Sequence, residues 1–165
     1  MDITIRAALP AEYEELGEIT ARAYLDDGLL SAESGAFYAA VLRDVAARAA
    51  EAEVLVAVHD GRLLGGVTFA APGSPLAEIA GPHEAEFRML AVAPEARGRG
   101  AGEALVRACM DRARDLEGVT HLVLSTKAAM LGAHRIYGRL GFTRTPERDW
   151  APVPSVPLLT YRAEL

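Results

Sequence analysis

"EFRMLAVAPEARGRGAGEALV", residues 86–106, is the stretch on which the fold turns. A strand-like run, "EFRMLAVAP", stops at Pro94 and passes through "RGRGAG" into a run with helical spacing. Gly98, Gly100 and Gly102 alternate there with Arg97, Arg99 and Ala101, a glycine density that an ordinary surface turn does not require. A strand that turns through glycines into a helix presents unpaired backbone N–H groups at the helix start, where the helix dipole adds about half a positive charge. The missing side chains let a large anion come close, and two arginines add full charges. The stretch therefore predicts a phosphate site, and above all a pyrophosphate site.

Three phosphate loops compete for this pattern. A nucleotide-hydrolase P-loop needs Lys and then Ser or Thr after its last glycine, whereas Gly102 is followed by Glu103 and Ala104. In a dinucleotide fingerprint Gly98 and Gly100 would fit, but Glu103 takes the place of the third glycine. The next strand then ends in Ser125 and Thr126 instead of an acid. The third pattern, R/Q-x-x-G-x-G/A, is filled by Arg97, Gly100 and Gly102. Taken alone this short pattern is equally compatible with a structural turn, so the elements around it decide.

Working outward, Ala101, Ala104, Leu105, Ala108, Cys109, Ala113 and Leu116 recur at helical spacing, with Gly118 as a stop signal. "VTHLVLS" (119–125) predicts a strand, "AMLGAHRIYGRLG" (129–141) a short helix ending at Gly141, and "LLTYRAEL" (158–165) a closing strand. The proline-rich "TPERDWAPVPSVP" (145–157) can be only loop or edge. Toward the N-terminus, "ITIRAAL" (3–9) predicts a strand and "AEYEELGEITARAYL" (11–25) a helix behind Pro10. "AFYAAVLRDVAARAA" (36–50) resumes the helical period after a break at 26–35, and "AEVLVAVHDGRLLGGVTFA" (52–70) predicts a hairpin around His59, Asp60 and Gly61. Residues 71–85, rich in proline and glycine, predict an irregular loop.

At 165 residues, without repeats or low-complexity tracts, the chain is expected to form one domain, 1–165. It contains no long uncharged apolar run and its first residues are charged, so a cytoplasmic protein with no membrane partner is expected. The net charge of -6 argues against nucleic acid, which is gripped by clustered cations. Cys109, the only cysteine, falls in an apolar helical pattern and is expected to be buried and inert. His59, His83, His121 and His134 show no metal-ligand spacing, so no metal is expected.

Order and spacing of these elements, with R-x-x-G-x-G and with "AHRIYGRLGF" (133–142) matching an A-x-x-x-Y-x-x-x-G-F helix, resemble the GNAT superfamily of acyl-CoA N-acyltransferases. The resemblance implies a mixed α/β fold (α+β in arrangement). Its twisted, mostly antiparallel sheet would have six to seven strands and about four helices on both faces, splayed between the fourth and fifth strands. It implies acetyl-CoA as cosubstrate and transfer of an acetyl group to a primary amine, on a small molecule, in a ternary complex. It leaves a homodimer open. A catalytically silent acyl-CoA-binding or sensing domain is the alternative from a different class.

By the same resemblance, backbone groups of Leu90 and Val92, with Ala91 between them, would pair with pantetheine. The Leu90 N–H would face the thioester oxygen, and residues 97–102 (Arg97, Gly98, Arg99, Gly100, Ala101, Gly102) would hold the pyrophosphate. Ser125, Met130, Ala133 and Tyr137 complete the expected cofactor contacts. Met130 stands where the family often has Asn, and a thioether cannot donate the amide's hydrogen bond, so either backbone or Ser125 substitutes or cofactor affinity is lower than usual. Tyr137 is the expected general acid, since a phenol stays protonated at neutral pH; packing on the inner face of its helix is compatible with that role.

Glu86 is the expected base, or else a solvated carboxylate at a strand end. On simple alternation it shares a face with Arg88, Leu90 and Val92, opposite Phe87, Met89 and Ala91. Four residues of unbulged strand span about 13 Å, so reaching an amine near Leu90 would need water or a bulge. Asp26, Asp27, Glu33, Glu78, Glu84 and Glu86 make the expected acceptor side acidic, which favours a cationic amine. Trp150, among prolines, is expected to anchor its loop.

Overall fold

Asp60 and Gly61, with φ of 49° and 73°, turn β2 (Glu53–His59) straight into β3 (Arg62–Ala70). Positive φ at both positions matches the right-handed twist of the flanking strands. The computed structural model describes residues 2–26 and 35–165. Around the hairpin a sheet of seven strands runs in the order β1-β2-β3-β4-β5-β7-β6. β1 (Thr4–Ala7) pairs with β2, and β4 (Glu84–Val92) pairs with β3, both antiparallel. β5 (His121–Thr126) runs parallel to β4, and β7 (Leu159–Glu164) returns antiparallel between β5 and the short β6 (Thr143–Arg144). The mixed, mostly antiparallel sheet and its splay are as expected, while β6 carries no strand signal in its sequence.

Helix α1 (Tyr13–Asp26) starts behind a turn of 3-10 helix in which Glu12 accepts the Leu9 N–H at 2.8 Å and pairs with Arg6 at 2.8 Å. It buries Leu16, Ile19, Thr20 and Ala23 as one stripe against β3 and β4. The run 36–50, expected as one helix, is two: α2 (Gly35–Arg43) and α3 (Val45–Glu51). Asp44 leaves the helical region and accepts the Ala47 N–H at 3.1 Å, capping α3. Arg48, 4% exposed, then donates to the carbonyls of Val41 and Leu42 at 2.9 and 3.0 Å and satisfies the end of α2. The helices therefore number five among the described residues, with α4 (Ala101–Arg114) and α5 (Leu131–Arg139) following the glycine turn and β5.

Apolar spacing in α4 buries Ala101, Leu105, Cys109 and Ala113 against β2 to β5. Cys109 is fully buried, and burial pushes its thiol pKa far up, which makes it an inert core residue. α4 ends at Arg114, so Gly118 (φ 80°) serves the turn into β5 instead of capping the helix. Among the described residues no helix is long and apolar enough to cross a membrane.

Candidate active site

Strands β4 and β5 are in register only from Glu84 to Glu86, opposite His121 to Val123. Beyond that point β5 continues its pairing with β7 to Thr126, while β4 stays with β3, so a wedge opens between them. The N–H of Ala93 donates to the Leu64 carbonyl at 2.8 Å, on the β3 side. Backbone direction alternates along a strand, so the N–H and C=O of Leu90 and Val92 point the other way, into the wedge.

Side chains on β4 do not follow the simple alternation. Thr68 faces Arg88 and Gly66 faces Ala91, so Met89 and Leu90 together oppose Val67 alone. Met89 takes φ 59°, a rare conformation for a side chain of its size, and forms the bulge. A Cβ on Gly65 would overlap the Ala91 carbonyl, so the glycine lets β3 close on the bulged strand. Before the bulge Phe87 packs its ring against Tyr137, tilted, and Phe142, edge to face (centroids 5.9 and 6.3 Å apart). After it, Val92 approaches Gly102 of α4, while Met89 packs with Ala21 and Leu42 of α1 and α2. The expected shared face of Glu86, Leu90 and Val92 is therefore corrected: the extra residue turns Leu90 and Val92 to the α4 side.

A cavity of about 760 Å³ fills the wedge and the mouth of the glycine turn. Its lining includes Leu90, Ala91, Val92, Arg97, Gly98, Gly100, Ala101, Gly102, Met130 and Ala133, ten of the expected cofactor contacts. Gly98 and Gly100 have φ of 79° and 85°, and a Cβ on either would meet nothing within 4 Å. The space beside these glycines, the helix start at Ala101 and the Arg97 side of the loop fit a pyrophosphate. Arg99, Ser125 and Tyr137 do not line this cavity. Sequence reading missed Tyr24, Arg135 and Ile136, whose only signal is helical spacing.

A second cavity, of about 260 Å³, lies on the other side and is lined by Phe37, Tyr38, Glu78, Arg88, Ser125 and Lys127 among others. Tyr24 and Met130 line both cavities and mark where they meet. Ser125 belongs to this second cavity, and its hydroxyl accepts the Trp150 indole N–H at 3.0 Å. Ser125 therefore lies outside the larger cavity, in which the resemblance expects it to stand in for the missing asparagine. Trp150 anchors its loop as expected: with Leu158 it closes residues 151–157, bringing Pro152, Val153 and Val156 to the cavity wall.

Glu86 is not a solvated carboxylate. It is 0% exposed, and its Oε1 accepts the N–H groups of Glu78, Ile79 and Ala80 at 2.9, 2.9 and 3.0 Å. Its Oε2 has no partner among the described residues. Burial raises the Glu86 pKa against the opposing pull of those three amides and Arg88. Glu86 lines neither cavity. Of the acidic residues expected on the acceptor side, Glu78 pairs with Arg88 at 3.0 Å, Glu84 pairs with Arg148 at 2.8 Å, and Asp26 is exposed at the end of α1. Asp27 and Glu33 lie outside the described residues.

Tyr137, 2% exposed, sits among the rings of Phe87, Phe142, Tyr161 and His134. Burial pushes its phenol pKa up, so it is protonated at neutral pH, while the Thr126 side chain on its hydroxyl opposes the shift. Thr126 lines the second cavity and donates to the Met130 sulfur at 3.5 Å. Among the described residues no group of three or more His, Cys, Asp or Glu could hold a metal.

Comparison with known proteins agrees with this architecture. The mycothiol acetyltransferase of Cellulomonas flavigena is 34% identical over 151 residues, 87% of this chain but only 41% of that protein's length. PaiA N-acetyltransferase of Thermoplasma acidophilum, solved in complex with coenzyme A, superposes with a TM-score of 0.74 at 17% identity, covering all of both chains. YncA of Salmonella typhimurium, solved with acetyl-CoA, gives 0.67 at 22% identity over 100% of this chain and 95% of its own. The sequence model of the acetyltransferase (GNAT) family matches residues 13–142, a span that holds the bulged strand, the glycine turn and both strands of the wedge. The chain belongs to that family.

Proposed function

We propose that this chain transfers an acetyl group from acetyl-CoA to the primary amine of a small molecule, by direct attack with both substrates bound. One observation carries the reading: the wedge between β4 and β5 joins a large glycine-rimmed cavity to a small side-chain-lined one, with Tyr24 and Met130 at the junction. A binding or sensing domain needs only the first cavity. The second gives an amine a place to meet the thioester.

In this reading the glycine turn and Arg97 hold the pyrophosphate, and the backbone of Leu90 and Val92 holds the extended arm as an added strand. The Leu90 N–H points to the carbonyl oxygen as negative charge builds there; such a donor is typically worth about 3 to 4 kcal/mol. Tyr137 supplies the proton for the departing thiolate, passed through the Thr126 hydroxyl that it meets, and the proton shed by the attacking nitrogen returns to the phenol by the same hydroxyl, so that amide and free thiol are released and the phenol is restored. For Glu86 the geometry supports a positioning role. Its carboxylate gathers three successive amides of the loop beside Arg88, and so sets one wall of the acceptor cavity.

The test is free thiol release from acetyl-CoA across a broad panel of amines, with thermal stabilisation by CoA measured in parallel. Amine-dependent thiol release is expected. Stabilisation by CoA with no amine raising thiol release above background would leave a silent acyl-CoA-binding domain.

A further inference from the structure

The chain has one lysine, Lys127; every other fixed cation is an arginine. That lysine lines the small cavity. The other charges on the lining are Glu78 and Arg88, which neutralise each other at 3.0 Å, and Arg88 also donates to the Leu76 carbonyl. Among the described residues no ion pair involves Lys127. The half-buried Lys127 therefore sits in a wall whose one carboxylate, Glu78, is already paired with Arg88, in a protein whose net charge is -6. Removing a cation from water without a partner is costly, so the counter-ion is expected from the ligand.

Apart from the hydroxyls of Tyr24, Tyr38, Ser125 and Thr126, the last two already bonded to Trp150 and Met130, the rest of the wall is apolar. Phe37 and Val153, two of the large apolar side chains exposed in this structure (75% and 40%), stand at this cavity, with Met89, Val156 and Leu158. Such a surface matches neither a polyhydroxylated amino sugar nor a polyamine, whose second cation would approach Lys127. A volume of about 260 Å³ lies just below the usual small-molecule range of roughly 300–1,000 Å³, which suits one compact acceptor and not a folded protein tail. Lys127 directly follows Thr126 and lies close in sequence to Met130, which lines both cavities. A cavity of about 260 Å³ leaves little distance between an anion held at Lys127 and the amine that must reach the junction. A molecule with amine and carboxylate on neighbouring atoms and an apolar side chain meets all of these requirements.

Resting on the acetyl-transfer reading above, we propose that the acceptor is an apolar or aromatic α-amino acid whose carboxylate is bound by Lys127. Burial lowers the Lys127 pKa when the cavity is empty of anion, and a bound carboxylate reverses that effect.

The experiment compares L-leucine, L-methionine and L-phenylalanine with their carboxamides and with spermidine, by thiol release from acetyl-CoA, in the wild-type chain, Lys127→Gln and Lys127→Arg. The free acids are expected to exceed their amides by roughly tenfold or more in kcat/KM, the scale of one charge-assisted contact. Lys127→Gln should erase that ratio through the amine's KM, not through the KM for acetyl-CoA, and Lys127→Arg should restore part of it. Amides or spermidine turning over as well as the acids, or an unchanged ratio in Lys127→Gln, would overturn the proposal while leaving acetyl transfer intact. Binding of N-acetyl-L-leucine, followed calorimetrically, gives a readout independent of turnover. Wild type should bind it and Lys127→Gln should not; absence of binding to wild type, or equal binding to both, overturns the assignment even if no amine is turned over.

Discussion

The two cavities that meet at Tyr24 and Met130 are built in opposite ways. The larger is framed by main-chain features: glycines with positive φ, a helix start and the unpaired edge of a bulged strand, with much of its lining within residues 90–103. The smaller is collected from longer side chains of separate elements: α1, α2, the 71–85 loop, β4, β5, the 127–130 turn and the 150–158 loop. A cavity made of main chain can serve one carrier in many proteins, because its donors do not depend on side-chain identity. A cavity made of side chains can change its ligand with single substitutions. The comparison therefore predicts that lesions in the first affect acetyl-CoA and lesions in the second affect the amine.

The largest effect should come from Gly100→Val. A β-branched residue at φ 85° carries a strain of at least about 1–2 kcal/mol, and its side chain would enter the open space where the phosphates are expected. The thermal shift given by saturating CoA should disappear, while N-acetyl-L-leucine binding should survive. A retained shift would remove the main-chain cradle from the comparison.

Next comes the pair Glu86→Ala and Glu86→Gln, read by denaturant unfolding. Alanine leaves the N–H groups of Glu78, Ile79 and Ala80 without their acceptor and should cost about 3 kcal/mol. Glutamine keeps an acceptor oxygen and should cost under about 1 kcal/mol. Because burial raises this pKa, the folded state holds the proton more tightly than the unfolded chain. Wild-type stability should then fall as pH rises through the ordinary carboxylate range toward the raised value, and Glu86→Gln should lack that fall. Loss of turnover in Glu86→Gln with stability intact would instead mark Glu86 as a base.

These two sites also mark the limit of what the sequence can be made to say. The glycine turn was legible because its function and its spacing are contiguous: Arg97, Gly100 and Gly102 lie in one short run between a strand and a helix. Glu86 was visible as a residue but not in its role, because its partners arrive from an irregular loop whose path no periodicity encodes. The inverted faces of Leu90 and Val92 follow from a positive φ at Met89, a residue that gives no warning of a bulge. Asp44 did carry a signal, an N-cap residue before a helical run, yet the apolar spacing across it suggested continuity. Glu78 was expected on the acceptor side and does line its cavity, whereas Tyr24, Phe37 and Lys127 converge there only through tertiary structure.

Tyr137→Phe tests the junction. The ring keeps its place among Phe87, Phe142 and Tyr161, so stability should change by less than about 1 kcal/mol. Turnover should fall about 100-fold, the usual scale for losing a positioned proton donor, with the CoA-induced thermal shift preserved. An unchanged rate would separate Tyr137 from catalysis and leave it a packing residue.

The smallest effect should come from Asp149, at the foot of the acceptor wall. Its carboxylate accepts Arg144 at 2.8 and 2.7 Å and the Thr160 N–H at 2.9 Å, directly before the Trp150 to Leu158 closure. The Arg144 guanidinium and the Thr160 amide hold its pKa down at about 2. A carboxyl depressed in the folded state stabilises above its unfolded value of about 4, and that contribution is lost as pH falls from there toward about 2. The pair is about a third exposed, so solvent screening limits the effect to about 1 kcal/mol. Asp149→Asn should lower the melting temperature slightly at pH 7 and by nothing near pH 2. If the wall is the independent, side-chain-built half that the comparison makes it, the same substitution should weaken N-acetyl-L-leucine binding and leave the CoA-induced shift untouched. Equal weakening of both would mean that the 150–158 loop supports the wedge as a whole, and that the two cavities are not separable.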